Sequence, residues 1–366
     1  MHSDRLLLGP GPSVPYPEAV EALTRPVLGH LDPEYLGVVA GIAERLRAVF
    51  RTSNELTLPV SGTGSAGMEA CLVSLVEPGE TVVVGVNGYF GERLCEVARR
   101  GGADVVRVEA PWGTALDPAD LLTAQRAHPH AALLAVVAAE TSTGVRNDVA
   151  PLGPELASTD TLLLVDAVTA LGGTRLEVDR WQIDACYSAS QKCLGAPPGL
   201  APVTLGPRAV AKMQRRATPV QSFYLDLGLL HRYFLTTPPT YHHTASSTLA
   251  YSLHAGLGRL LDEGVEQVWA RHARVGVLLQ AELPELGFQL VAADGVRLPQ
   301  LTAALLPERL DDASGRRRLL TEFGIEVGGG LGAIAGRAWR IGLMGHAATE
   351  RSVVTLLGAV RELLKA

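Results

Sequence analysis

Cysteine is scarce in this chain: Cys71, Cys95, Cys186 and Cys193 are the only four among 366 residues. They show neither CxxC spacing nor an accompanying histidine pattern, which argues against a disulfide framework and a zinc site. Basic charge is equally thin. The 32 Lys and Arg are scattered against 38 Asp and Glu, for a net charge of −6 and a pI near 5.9, so the chain carries no nucleic-acid footprint. No run approaches the roughly 20 apolar residues of a membrane span. The opening MHSDRLLLGPGPSVPYP has three consecutive leucines before glycine and proline, too few for a secretory signal, and the closing LLKA is not a peroxisomal SKL ending. The expectation is a cytoplasmic protein with reduced thiols.

What is present suits a folded protein of two domains. A chain of 366 residues with 47% hydrophobic content has ample core material at about 150 residues per domain. Short β-rich apolar runs alternate with helical patterns through its middle. Strands are expected at 81–86, 105–108, 132–139, 162–165, 185–187 and 201–205, with helices over 67–76 and 91–100. This alternation predicts an α/β fold, a mostly parallel sheet covered by helices on both faces. Ligands on such sheets bind at the carboxyl ends of the strands.

Two residues meet that rule. Asp166 closes the run Thr161-Leu-Leu-Leu-Val165, and Lys192 follows the run Ile183 to Tyr187 inside Ser188-Ala-Ser-Gln-Lys-Cys-Leu-Gly195, one long amine among small residues. Amine and carboxylate at one sheet edge are the minimum a protein contributes to pyridoxal phosphate chemistry. The lysine forms an imine and the acid keeps the pyridine nitrogen protonated. Asp166 alone also reads as a helix N-cap. Cys193 invites a thiol nucleophile reading, but its neighbour Lys192 is the better nucleophile.

A phosphate anchor is available in Pro59-Val-Ser-Gly-Thr-Gly-Ser-Ala-Gly-Met-Glu-Ala70. Glycines let backbone approach an anion, hydroxyls donate to it, and the following helix begins with unpaired N–H groups. The same residues also suit a helix-capping turn. The segment is no Walker motif, because no Gly-Lys-Ser/Thr follows. Its GxGxxG at Gly62, Gly64 and Gly67 lacks the acidic strand terminus of a dinucleotide site, since the strand expected from Val82 runs into Asn87.

Ten segments in order, LLLGPGP, SGTGSAGMEA, NGYFGE, ETSTGV, LLLVDAVTALGG, SASQKCLGAPPG, SFYLDL, YHHT, GGGLG and RIGLMG, give the chain a resemblance to the fold-type I, class V aminotransferases over nearly its whole length. Within them it is most similar to alanine–glyoxylate and serine–pyruvate aminotransferases. The resemblance implies an N-terminal arm (1–18), a large pyridoxal phosphate domain (19–245), a small α+β C-terminal domain (246–366) and a homodimer with sites at the subunit interface.

It also implies roles. Lys192 would carry the cofactor and shuttle the substrate α-proton, and Asp166 would pair with the pyridine nitrogen. Ser61, Thr63, Gly64, Ser65 and Gln191 would hold the phosphate, although the family often has histidine at the position of Ser65. Phe90 would stack on the ring in place of the commoner tryptophan, where it alternatively reads as core packing. Thr141 would donate to the ring oxygen, and Val168 would flank the ring. Tyr241 and Thr244 of YHHT would reach the neighbouring subunit's phosphate; adjacent His242 and His243 make a poor metal pair because consecutive side chains diverge. Arg340 would clamp the substrate α-carboxylate through paired hydrogen bonds, against the plainer reading of a surface arginine on a strand. Gly11, in a turn-like Gly-Pro-Gly-Pro, would contact the substrate. Gly328 to Gly330 and Gly332 would approach the site closely.

The expected activity is a ping-pong transamination from alanine or serine to a small 2-oxo acid such as glyoxylate or pyruvate. Other class V transaminases, with aminoethylphosphonate, ureidoglycine or aspartate donors, differ in pocket residues that the sequence does not rank. A desulfurase would need a catalytic cysteine on a late loop, and the last cysteine is Cys193. A non-catalytic binding protein would be expected to have lost Lys192, Asp166 or Arg340.

Overall fold

Three runs, Thr81–Val86, Leu133–Val137 and Leu162–Asp166, are apolar almost throughout and buried on both faces, as strands need to be when helices cover a sheet from both sides. They pair in parallel, and Asp104–Glu109 and Ala185–Tyr187 extend the parallel array at either side. The computed structural model describes residues 5–365; residues 1–4 of the expected arm and Ala366 lie outside it. The central sheet has seven strands in the order Leu56–Ser61, Leu200–Leu205, Ala185–Tyr187, Leu162–Asp166, Leu133–Val137, Thr81–Val86 and Asp104–Glu109. Leu200–Leu205 alone runs opposite to the other six strands.

The edge strand Leu56–Ser61 has no counterpart in the sequence reading. Pro59 argues against a strand, because it cannot donate to a ladder. At the edge of the sheet that deficit matters least, and Pro59 lies opposite Pro202 in register. Helix Gly64–Leu75 starts three residues earlier than the periodicity suggests, and Tyr89–Arg100 two residues earlier, with Leu94, Cys95 and Ala98 on its buried side.

A second sheet of four antiparallel strands, ordered Gln289–Leu290, Leu301–Leu305, Ala338–Gly342 and Gly328–Gly329, lies in the C-terminal part. Val275, Leu279 and Leu283 of helix Val265–Glu285 share its core with Ile341, Val353 and Leu356. Helix Ser247–Glu263 instead packs Leu253, Leu257 and Leu260 into the larger core. The N-terminal segment joins the two regions. Leu6–Leu7 pairs in parallel with Ile325–Glu326, Leu8 is buried in the smaller core, and the Ser13 and Tyr16 N–H groups donate to Gln191 and Gly195 carbonyls at 2.9 and 2.8 Å.

A buried histidine fastens the loop beside this junction. The His272 Nδ1–H donates to the Val268 carbonyl at 2.7 Å, and Nε2 accepts from the Gly345 N–H at 3.3 Å, which fixes the neutral ring. Full burial pushes its pKa down to about 4. The unfolded chain, with an ordinary histidine pKa near 6.5, therefore binds the extra proton first. This group's stabilisation is complete above about pH 6.5 and is lost as pH falls toward 4. Chemical denaturation across that window should show a stability slope that His272→Gln reduces by about 1.4 kcal/mol per pH unit; an unchanged slope would contradict the neutral assignment.

Candidate active site

Asp166 and Tyr187 are register partners on adjacent parallel strands, so their side chains share a face. The Tyr187 hydroxyl donates to Asp166 Oδ2 at 2.7 Å, and the Val168 N–H donates to Oδ1 at 2.9 Å. Burial raises the Asp166 pKa to about 6, against the pull of these two hydrogen bonds and of the Lys192 and Arg93 charges.

Beyond Tyr187 the chain turns, and Lys192 is held from outside its own segment. Ser13 Oγ donates to the carbonyls of Gln191 and Lys192 at 3.1 and 2.8 Å, while Lys192 Nζ donates to the Pro10 carbonyl. Gly11, at φ 120°, lies so close that a Cβ there would come within 2.9 Å of Lys192 Cδ and Cε. Only glycine allows this approach. Burial lowers the Lys192 pKa to about 8. Cys193 is buried, and its thiol is pushed up to about 12, mainly by burial, which removes it as a nucleophile.

Lys192 and Asp166 open on one cavity of about 180 Å³. Thr63, Gly64, Ser65 and Gln191 line it together with Phe90, Thr141 and Val168. The Gly64 backbone crowds the wall: a Cβ there would meet Val168 Cγ2 at 2.9 Å. Thr63 is the N-cap of helix Gly64–Leu75 but makes no side-chain cap bond. Gln191 Oε1 is buried with no hydrogen-bond partner among the described residues. An amine, a carboxylate, an aromatic and an aliphatic side, and a helix start whose hydroxyls are free to donate suit a flat ring bearing a phosphate.

Arg340 is buried on strand Ala338–Gly342, where its Nε–H donates to the Gly329 carbonyl at 2.8 Å. Burial lowers its pKa to about 10, with the Glu140 charge opposing the shift. Gly328 brings the glycine segment to the arm, since a Cβ there would press on Pro10. Ser61 is not part of the cavity lining, and its hydroxyl is paired with His243 Nε2 at 2.7 Å. Tyr241 is exposed and packs on His30 and Tyr233; neither it nor Thr244 lines this chain's cavity.

Two charged residues of the site escaped the sequence reading. Arg93 lines the cavity one helical turn after Phe90. Glu140, fully buried, accepts from the Phe90 and Gly91 N–H groups at 3.1 and 3.3 Å and from the Ser142 N–H and hydroxyl at 3.0 and 2.6 Å. It thereby caps helix Tyr89–Arg100 and ties Phe90 to the loop bearing Thr141. Burial raises its pKa, and the Ser142 and Gly91 bonds oppose the rise. A lone carboxylate closing the apolar run Leu133 to Ala139 was the available signal.

A family model described as aminotransferase class-V matches residues 22–334. An alanine–glyoxylate aminotransferase of Drosophila melanogaster is 36% identical over 99% of this chain and 92% of its own length. An (S)-ureidoglycine–glyoxylate transaminase of Bacillus subtilis is 35% identical over 98% of this chain and 90% of its own. Among solved structures, an alanine–glyoxylate aminotransferase from Nostoc sp. superposes with a TM-score of 0.96 at 44% identity, covering 100% of this chain and 96% of that one.

The lowered lysine pKa is directly measurable. Limited reductive methylation of the cofactor-free protein, read by peptide mapping, should label Lys192 with half-maximal reactivity near pH 8. A midpoint near the ordinary 10.4 of lysine would contradict the desolvated site.

Proposed function

From its membership of the class V aminotransferases, a family to which this chain plainly belongs, we propose that it moves the amino group of alanine or serine to glyoxylate or pyruvate in two half-reactions. The observation that carries this reading is the single cavity shared by the Lys192 amine and the Asp166 carboxylate. Pyridoxal phosphate, the cofactor of these enzymes, supplies when bound a carbonyl carbon that stores the amino group and a ring that withdraws electrons. The protein's part is to bind, orient and move protons.

Asp166 holds a proton on the ring nitrogen through its carboxylate, and Tyr187 and the Val168 N–H keep that carboxylate aimed. The thresholds of the two groups converge, at about 6 for Asp166 and about 8 for Lys192. At neutral to mildly alkaline pH the carboxylate is therefore charged while part of the lysine population is a free base. Lys192 Nζ then takes the substrate α-proton and returns it, a task best served by a pKa near the working pH. Arg340 receives the α-carboxylate. With Nε committed to Gly329, its two terminal nitrogens remain for a bidentate grip that orients the Cα–H bond. Thr63, Gly64, Ser65 and Gln191 receive the phosphate, with Ser61 bracing the loop through His243. Phe90 and Val168 flank the ring, and Thr141 donates to its oxygen. Gly11 keeps the arm close over the amine.

The reading includes a homodimer in which Tyr241 and Thr244 serve the neighbouring subunit's phosphate. Exposed Phe223, Tyr224 and Tyr241, at 67%, 47% and 58%, support it as an aromatic patch in want of a partner. Divisions near residues 18 and 245 and a cytoplasmic location belong to the same reading. The four unpaired buried thiols suit a reducing compartment, and no helix among the described residues is long and apolar enough to cross a membrane. (S)-Ureidoglycine is the second donor to test, because the Bacillus subtilis relative is named for it.

The purified protein should absorb visible light, bleach with L-alanine or L-serine and recover with glyoxylate. Lys192→Ala should abolish both responses; normal turnover by that variant would sink the mechanism, and bleaching by ureidoglycine alone would select the second donor. Arg340→Gln should raise the amino-acid KM on the order of 100-fold while leaving the cofactor spectrum intact. An unchanged KM would remove Arg340 from substrate binding.

A further inference from the structure

Arg93 belongs to the cavity wall, yet no role described so far uses it. It sits on helix Tyr89–Arg100 three residues after Phe90 and so shares that residue's face. Its guanidinium carbon lies 5.1 Å from the ring centroids of both Tyr89 and Phe90, and its Nη1 is 3.4 Å from Ser65 Oγ. Nearby, Arg107 is paired with Glu92 and Glu109 and Arg100 with Glu96, while Arg99, exposed and away from the cavity lining, has no ion pair among the described residues. Arg93 has no ion pair among the described residues. It thus presents five N–H donors to the cavity with one long hydrogen bond and two ring faces as company.

The charge of the expected occupant makes this significant. A phosphate monoester carries about −1.5 to −2 charges near neutral pH. The start of helix Gly64–Leu75 offers an equivalent of roughly +0.5, and Thr63, Ser65 and Gln191 are neutral donors. The cavity's remaining cation is Lys192, which is given over to the chemistry. Without a further positive group, most of the phosphate charge would lack a counter-charge in a partly desolvated pocket.

We propose that Arg93 is the cationic partner of the cofactor's phosphate, held ready by the Phe90 and Tyr89 rings, and that it makes the pocket prefer phosphorylated over unphosphorylated pyridoxal. The proposal rests on the cofactor reading. A guanidinium suits this duty because its planar fork matches two phosphate oxygens at once. Its hydrogen-bond partner Ser65 stands at the start of helix Gly64–Leu75, so cation, hydroxyl and backbone N–H groups converge on one anion.

Titration of cofactor-free protein with pyridoxal phosphate and, separately, with pyridoxal, read by quenching of intrinsic fluorescence, tests it. Arg93→Gln should weaken pyridoxal phosphate by about tenfold or more, the loss of a charged hydrogen-bonded pair, and change pyridoxal by less than about twofold. Arg93→Met, which keeps the stem over the rings, carries the same comparison where the glutamine variant does not fold. Equal losses for both compounds would assign Arg93 to packing alone, and no loss for either would remove it from the site; each overturns the proposal. A wild-type protein that binds neither compound contradicts the cofactor reading itself, and the Arg93 proposal with it.

Discussion

An amine and a carboxylate, each more stable in water, sit together at one edge of an apolar sheet, and much of the architecture exists to hold them there. Their mutual attraction would raise the lysine pKa and lower that of the aspartate. Both move the other way, Lys192 to about 8 and Asp166 to about 6, because burial outweighs the attraction between them. The protein opposes part of that cost with two hydrogen bonds to Asp166 and a backbone carbonyl from the arm for Lys192. The result is a carboxylate and an amine whose thresholds lie on either side of neutral pH.

That pair depends on chain segments far apart in sequence. Parallel strands place Asp166 and the turn after Tyr187 on a common edge. The arm contributes Pro10, Gly11 and Ser13, and it is itself fastened to the C-terminal region through Leu6–Leu7 and Leu8. From that region come Gly329 and Arg340. One strip of N-terminal chain therefore touches the amine, the glycine segment and the smaller core, linking Lys192 to the region that bears Arg340.

The parallel strands were legible because burial on both faces demands continuous apolar runs, and Asp166 was visible as the charge that ends one of them. Lys192 stood out among small residues for the same reason. Leu56–Ser61 was hidden by Pro59, whose cost vanishes only when the strand is known to lie at an edge. Glu140 and Arg93 were hidden differently. Glu140 does end an apolar run, but what these two residues face, the N–H groups of another element and the cavity, is set by the fold and not by their neighbours in sequence. Ser61 was read as part of the phosphate loop, but its tie to His243 spans 182 positions and needs the fold.

The chain has three lysines, Lys192, Lys212 and Lys365, so the identity of the reacting amine is open to a simple chemical assignment. Borohydride reduction of the protein with its cofactor bound, followed by peptide mapping, should place one pyridoxyl phosphate group on the peptide containing Lys192 and none on the other two. Label on Lys212 or Lys365, or no label in a protein that still transaminates, would contradict the placement of the chemistry at the Lys192–Asp166 edge.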